Sequence, residues 1–452
     1  MAVGACAQTF TTLVNFNGPN GLFPSYEMSL TQGRDGNLYG TAYSGGVNNY
    51  GTFFKMTPQG TLTVLYSFDY TAAYPVSGVV LGTDGNFYGT TIEGGAYGWG
   101  SVFKITPSGA FTILHSFNVT DGCVPYGTPV EGADGNFYGT TEYGGATTSS
   151  SFCYQGAGTV YKMTPAGALT TLHSFEGYQD GGMPWAGLTQ AIAGNFYGTT
   201  YGGGTGGWGT VFQITPAGTL KTLHNFDSTD GAELSGTLIQ AIDGDLYGTT
   251  EGGGVNGGGT VFDINAKGTL TTLHSFCYPT VCADTNGQDP VAGVIQASDG
   301  NFYGTTYGGG VSGTVYEVSP IGVLTVLYDL DIYSVGGEPL GGLFQATDGI
   351  LYGTTSYGGA GGGGSIFSLD VGLGPFVAFV RRTGKVGQSG GILGQGFIGT
   401  TAVAINGIPA NFKVVSDTYL MATVPAGATT GYVTVTTPSG VLTSNVPFQV
   451  IP

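Results

Sequence analysis

The chain has 452 residues, 87 of them Gly and 20 Pro, and carries 28 Asp and Glu against 10 Lys and Arg, a net charge of −18. That excess of like charge repels nucleic acid and anionic membrane surfaces, and it leaves little to neutralise uronate or sulfate groups on a ligand. Only 8% of the residues are charged while 13% are aromatic, the reverse of a disordered chain, and no apolar run is long enough to span a bilayer.

Residues 1–8 (MAVGACAQ) read as a residual signal or processing segment. Ala5-Cys6-Ala7 fits the small-x-small site of secretory cleavage, and Val3-Gly4-Ala5-Cys6 also resembles a lipobox that would make Cys6 a lipid anchor. Residues 9–16 (TFTTLVNF) follow with a strand pattern that has no partner beside it in sequence.

From there the chain repeats. Leu or Phe followed by Tyr-Gly-Thr recurs with its Tyr at 39, 88, 138, 197, 247, 303 and 352, which makes seven units of about 50 residues. Each unit reads as four short strands. In residues 76–117 these are VSGVVLGT, FYGTT, SVFKIT and AFTILHSF, with an Asp-Gly-Asn turn after the first, a Gly-rich loop after the second and Pro-Ser-Gly after the third. Gly supplies positive φ, Pro presets the first turn angle and Asp bonds its own backbone, so these are turn signals with a mechanism. Apolar groups on both strand faces require neighbouring units to stack.

Fourth strands of the TLTTLHSF type occur six times, at 61–68, 110–117, 168–175, 219–226, 269–276 and 323–330, and the seventh unit ends at SIFSLDV without one. Residues 9–16 match that missing strand. The expectation is an all-β, seven-bladed β-propeller over 9–371 whose last blade is closed by the N-terminal strand, which removes the open edges.

The order DGNFYGTT, GTVFKITP, GTLTTLHSF resembles the GloVer tandem-repeat proteins, bacterial proteins that carry alternative cell-surface anchors. The likeness runs over residues 9–370; it implies a secreted or cell-surface setting and supplies no catalytic residues. A looser likeness joins the DGN element to the propeller repeats of two-component sensors. After Gly372-Leu373-Gly374 the composition shifts, and residues 375–452 resemble an IPT/TIG domain. That resemblance implies an immunoglobulin-like β-sandwich acting as spacer or packing partner.

In each unit the connections from second to third strand and from fourth to next first strand are long and variable, and they emerge on one face. Cys123 and Cys153 lie in neighbouring connections there, and Cys277 and Cys282 share one connection, which suggests two disulfides in an oxidising compartment. The same loops hold the candidate ligand-binding rings Trp99, Tyr143, Trp185, Tyr201, Trp208 and Tyr307, with Tyr97, Tyr126 and Tyr357. They suit either sugar stacking or plain loop packing. Glu142 and Glu251 occupy one repeat position where the other units have Tyr43, Ile92, Tyr201, Tyr307 and Ser356, and they are the tentative catalytic carboxylates. The further acids Glu27, Glu93, Asp180 and Glu338 leave calcium open as a cofactor, although no metal-ligand spacing appears. His115, His173, His224 and His274 share one position and read as packing between units.

The leading functional expectation is a surface propeller that binds neutral glycan or a surface protein. Two alternatives stand beside it: an extracellular polysaccharide-degrading glycosidase or lyase, and a structural, self-assembling surface protein.

Overall fold

A computed structural model describes residues 8–24, 29–146, 153–278 and 286–451. Every sheet is antiparallel apart from one parallel pair near the C-terminus, and there is no α-helix among the described residues. Residues 9–370 form seven four-stranded sheets, taken here as first to seventh in chain order. The second is representative: Val80–Leu81, Phe87–Thr91, Ser101–Ile105 and Phe111–Ser116, paired in that order.

The motif residues explain themselves in this frame. Asp84 accepts bonds from the backbone and side-chain N–H groups of Asn86 (3.0 and 2.6 Å), and the Tyr88 hydroxyl donates to it at 2.9 Å. The repeat Tyr is thus the strut that holds its own turn, and the same Tyr to Asp bond recurs at Tyr39, Tyr138, Tyr247, Tyr303 and Tyr352. The fourth sheet has Ala193 in place of the Asp, and there Gln213 donates to the Tyr197 hydroxyl at 2.5 Å. The Gly after each Tyr is needed for space. A Cβ on Gly89 would stand 2.6 Å from the Phe103 ring on the neighbouring strand.

In the second and fourth sheets the second and third strands are wholly buried apart from one half-buried position, so these apolar runs have to be covered on both faces. Adjacent sheets supply the cover. Tyr88, Val102 and Phe117 of the second sheet pack with Phe137, Tyr161 and Met163 of the third. The series returns to its start, because Val14, Tyr352 and Ile366 of the seventh sheet pack with Leu38, Phe54 and Met56 of the first. Thr9–Asn15 is the outer strand of that seventh sheet, pairing Thr11 with Ser368 and Asn15 with Ser365. The arrangement is propeller-like. Thr31, Val80, Val130, Ile239 and Ile295 of five innermost strands, with Leu188 and Leu343 just ahead of the other two, line a shared axial cavity of about 290 Å³.

Residues from Val377 onward have their own core of Val377, Ile392, Phe397, Val403, Leu420, Val435 and Phe448. It lies between two four-stranded sheets, one containing Ser389–Leu393 and Tyr419–Thr423, the other Ala402–Ile405 and Val433–Thr437. This region docks on the short-turn side of the repeats. The Thr418 hydroxyl donates to the Arg34 carbonyl (2.8 Å), the Arg34 guanidinium sits 4.8 Å from the Tyr419 ring centre, and Gln395 donates to Thr347 (3.1 Å). Phe376, Ala378 and Leu393 face Thr31, Val80 and Phe344 across a cavity of about 240 Å³. One end of the axial cavity is therefore backed by the C-terminal region, and the long loops are left at the other.

Candidate functional site

The long loops share one backbone plan. Phe23, Tyr74, Val124, Met183, Glu233, Asp289 and Glu338 occupy the equivalent position of each fourth-to-first connection, and all seven have φ between 54° and 61°. A non-Gly residue held there costs about 1–3 kcal/mol. Six of them precede Pro, which ordinarily favours extended backbone. Hydrogen bonds impose the conformation: each carbonyl accepts from the residue just past a second strand, such as Glu142 N–H to Val124 (3.0 Å) and Glu251 N–H to Glu233 (3.0 Å). Two rings of equivalent positions thus surround the axis with constant backbone and changing side chains.

The aromatic candidates fall into three places. Trp99 meets Tyr154 edge-on at 6.0 Å, and Tyr154 meets Tyr143 at 5.1 Å. Beneath them the Cys123–Cys153 disulfide closes, with Cα atoms 6.1 Å apart, in a cluster with Val124, Trp99, Tyr126 and Tyr143. Trp185 lies between Tyr126 (5.7 Å) and Tyr201 (4.1 Å), stacked on both. Both faces of its indole are taken, so Trp185 anchors its loop as well as lining the surface. Trp208 is 44% exposed and stands elsewhere, its carbonyl accepting the Glu233 N–H at 3.1 Å. Tyr307 is separate again and donates to Glu338 at 3.0 Å.

The two candidate carboxylates differ. Glu142 is 3% exposed, and burial pushes its carboxyl up, with the side chains of Tyr143 and Trp185 pulling partly back. Burial, then the charges of Glu233 and Asp289, raise Glu251 to about 7. Asp289 is raised by burial and accepts bonds from Tyr278 (2.8 Å) and Gln288 (3.2 Å). Tyr201 links the two sets, since its ring stacks on Trp185 and its hydroxyl is held up by burial and by Glu251 and Glu233. Glu233 and Asp289 were not singled out by sequence. The signal for Asp289 was the position before the Pro of its connection, and for Glu233 the equivalent position, where Leu234 stands in place of the Pro.

The histidines do more than pack between sheets. Each leans edge-on against the Phe two residues on, as His115 does on Phe117 at 5.1 Å. Nε2 of His115, His173 and His224 also lies 3.0, 2.7 and 2.7 Å from Asp121, Asp180 and Asp230, which ties the following loop to the strand. Cys282, Cys6 and Glu27 lie outside the described residues, so the second disulfide pair is not described. Among the described residues no group of three or more His, Cys, Asp or Glu side chains is arranged to hold a metal ion, and no helix is long and apolar enough to cross a membrane.

The fold is similar to that of a fungal AA5-family alcohol oxidase solved with copper, at 15% identity and TM-score 0.50 over 95% of this chain and 98% of that one. It is also similar to the extracellular domain assigned to a hybrid two-component system of Bacteroides thetaiotaomicron (13%, 0.49, over 98% of this chain and 55% of that one). A third likeness is to the periplasmic gluconolactonase PpgL of Pseudomonas aeruginosa (14%, 0.44, over 75% and 96%). At these identities the likeness concerns fold alone. No curated protein matches the chain. The model of the Gloeobacter/Verrucomicrobia repeat matches at residues 1–153, 76–283, 146–367 and 280–404, a span that includes all seven sheets. The chain belongs to the Gloeobacter/Verrucomicrobia repeat family.

Proposed function

We propose that this is a secreted or cell-surface protein in which a closed seven-bladed β-propeller presents its long-loop face to a neutral carbohydrate or a protein partner. In this reading residues 375–452 are an immunoglobulin-like module of IPT/TIG type that backs the opposite face. One observation carries the proposal: the exposed aromatic side chains gather on the long loops. Tyr70, Tyr97, Tyr154, Tyr178, Trp208, Tyr333 and Tyr357 are all exposed there, and Tyr432 is their one counterpart in the C-terminal region among the described residues. Exposed rings concentrated on one face mark an interaction surface, because amphipathic rings give contact area at low entropic cost. The Cys123–Cys153 disulfide supports an oxidising compartment.

A second reading, polysaccharide cleavage, draws on Glu251, whose raised carboxyl is poised near neutral pH as a general acid would be. Incubating the protein with a polysaccharide panel separates the two. Retention without new reducing ends supports binding, and new reducing ends that vanish in Glu251→Gln or Glu142→Gln support cleavage.

A further inference from the structure

The innermost strands leave the axis open. Val80, Val130, Ile239 and Ile295 are β-branched side chains left half-buried there, and they face the axial cavity of about 290 Å³. Among the described residues that line it none is charged, in a chain of net charge −18. The lining hydroxyls of Thr31, Thr128 and Thr237 are already committed to neighbouring sheets: Thr31 donates to the Val79 carbonyl, Thr128 donates to the Gly78 carbonyl at 3.4 Å, and Thr237 accepts the Gly187 N–H at 3.2 Å. What the lining offers a guest is methyl and methylene surface, and water held there has few polar partners.

The opening does not end at the innermost strands. Thr31 and Val80 also line the cavity of about 240 Å³ beneath, where Phe344, Phe376, Phe379 and Leu393 form the walls and again no described lining residue is charged. The amides at that level are spent too, Gln32 donating to Thr347 and Gln345 to Ser298, each at 3.0 Å. The two cavities make one apolar path from the long-loop side of the axis to the C-terminal region, walled across its width by the seven sheets and extended only along the axis. Cavities of this size with apolar walls and few free polar groups are the ordinary form of a small-molecule site.

We infer that this axial path binds a single unbranched alkyl or acyl chain, with its tail among Val80, Ile239 and Ile295 and toward Phe376, and an uncharged head left at the long-loop mouth. The inference goes beyond the carbohydrate reading above and does not rest on it. A charged head gains nothing here, because neither cavity holds a Lys or Arg among its described residues.

The test is calorimetric titration of the full chain with 1-hexanol, 1-octanol and 1-decanol, and with decanoate as the charged counterpart of the last. Each added methylene should tighten binding about fourfold, with a negative heat-capacity change. Decanoate should bind at least about threefold more weakly than 1-decanol, because its charge meets the net charge of the protein. Ile239→Phe puts a ring into the open axis and should abolish binding of all three alcohols with the melting temperature not lowered. Ile295→Thr keeps the cavity and adds a hydroxyl, and it should weaken 1-decanol about fivefold. A bilayer lipid and a free amphiphile both carry such a chain: flotation with phosphatidylcholine vesicles that is lost in Ile239→Phe would support the first source, and binding of the alcohols without flotation the second. No binding of any alcohol, affinity that does not rise with chain length, binding that survives Ile239→Phe, or decanoate bound more tightly than 1-decanol would each overturn the inference. The carbohydrate reading is untouched by all four, since the polysaccharide panel tests it separately.

Discussion

The two faces of the repeat region use the same sheets in opposite ways. On the short-turn side the sequence repeats with the structure: Asp, Asn and Tyr recur because each turn needs the same bonds, and Gly36 lies against Thr418 of the docked C-terminal region. On the long-loop side the backbone repeats and the side chains do not. The seven residues at φ 54–61° are Phe, Tyr, Val, Met, Glu, Asp and Glu. A position that holds strained geometry while its chemistry changes is being used for what its side chain meets. Identity repeated seven times marks framework, and geometry repeated with varied chemistry marks the working surface.

That contrast breaks in graded ways. The largest effect belongs to closure. Deleting residues 1–16 unpairs the Ser365–Asp370 edge and uncovers Ile366 and Leu369, both fully buried, so the variant should aggregate on size-exclusion chromatography; a monomer with an unchanged melt would refute closure. Replacing Cys123 and Cys153 with serine should cost about 2–4 kcal/mol in chemical denaturation and loosen the Trp99 and Tyr154 rings above the bridge. Gly89→Ala pushes a methyl into the Phe103 ring and should cost about 1–3 kcal/mol without touching ligand retention. The smallest effect is a pH slope. The Glu251 carboxyl is held up to about 7 against an ordinary 4.5, so between those values the folded chain binds the extra proton. Stability therefore falls as pH rises from 4.5 to 7, and Glu251→Gln should flatten that slope and gain about 1–2 kcal/mol above pH 7 after allowance for solvent screening. Melting scans across pH check it.

Much of the framework was legible because it is repetitive. The seven Tyr positions, the missing fourth strand and the pairing of residues 9–16 with the end of the seventh unit follow from counting, and so does the Cys123–Cys153 bridge. The loop face was legible in position and less so in detail. By residue type Trp185 suits either sugar stacking or loop packing, and stacking by Tyr126 and Tyr201 from adjacent loops takes both its faces. Asp289 hid because a residue before Pro favours extended backbone, and the bonds that override this come from Gly258 of the preceding sheet and Tyr307 of the following one. Docking of the C-terminal region was out of reach for the same reason, since Arg34 and Thr418 are 384 residues apart.

The central claim is that the long-loop face binds a partner through exposed rings the framework does not need. The most direct test compares wild type with Trp208→Ala and Tyr97→Ala in retention on a panel of immobilised polysaccharides, with melting temperatures measured alongside. The account predicts retention of the wild type, loss of at least about tenfold in affinity for Trp208→Ala, and melting within about 2 °C of wild type for both variants. Unchanged retention in both variants, or a fall in melting that matches the loss of binding, would contradict it.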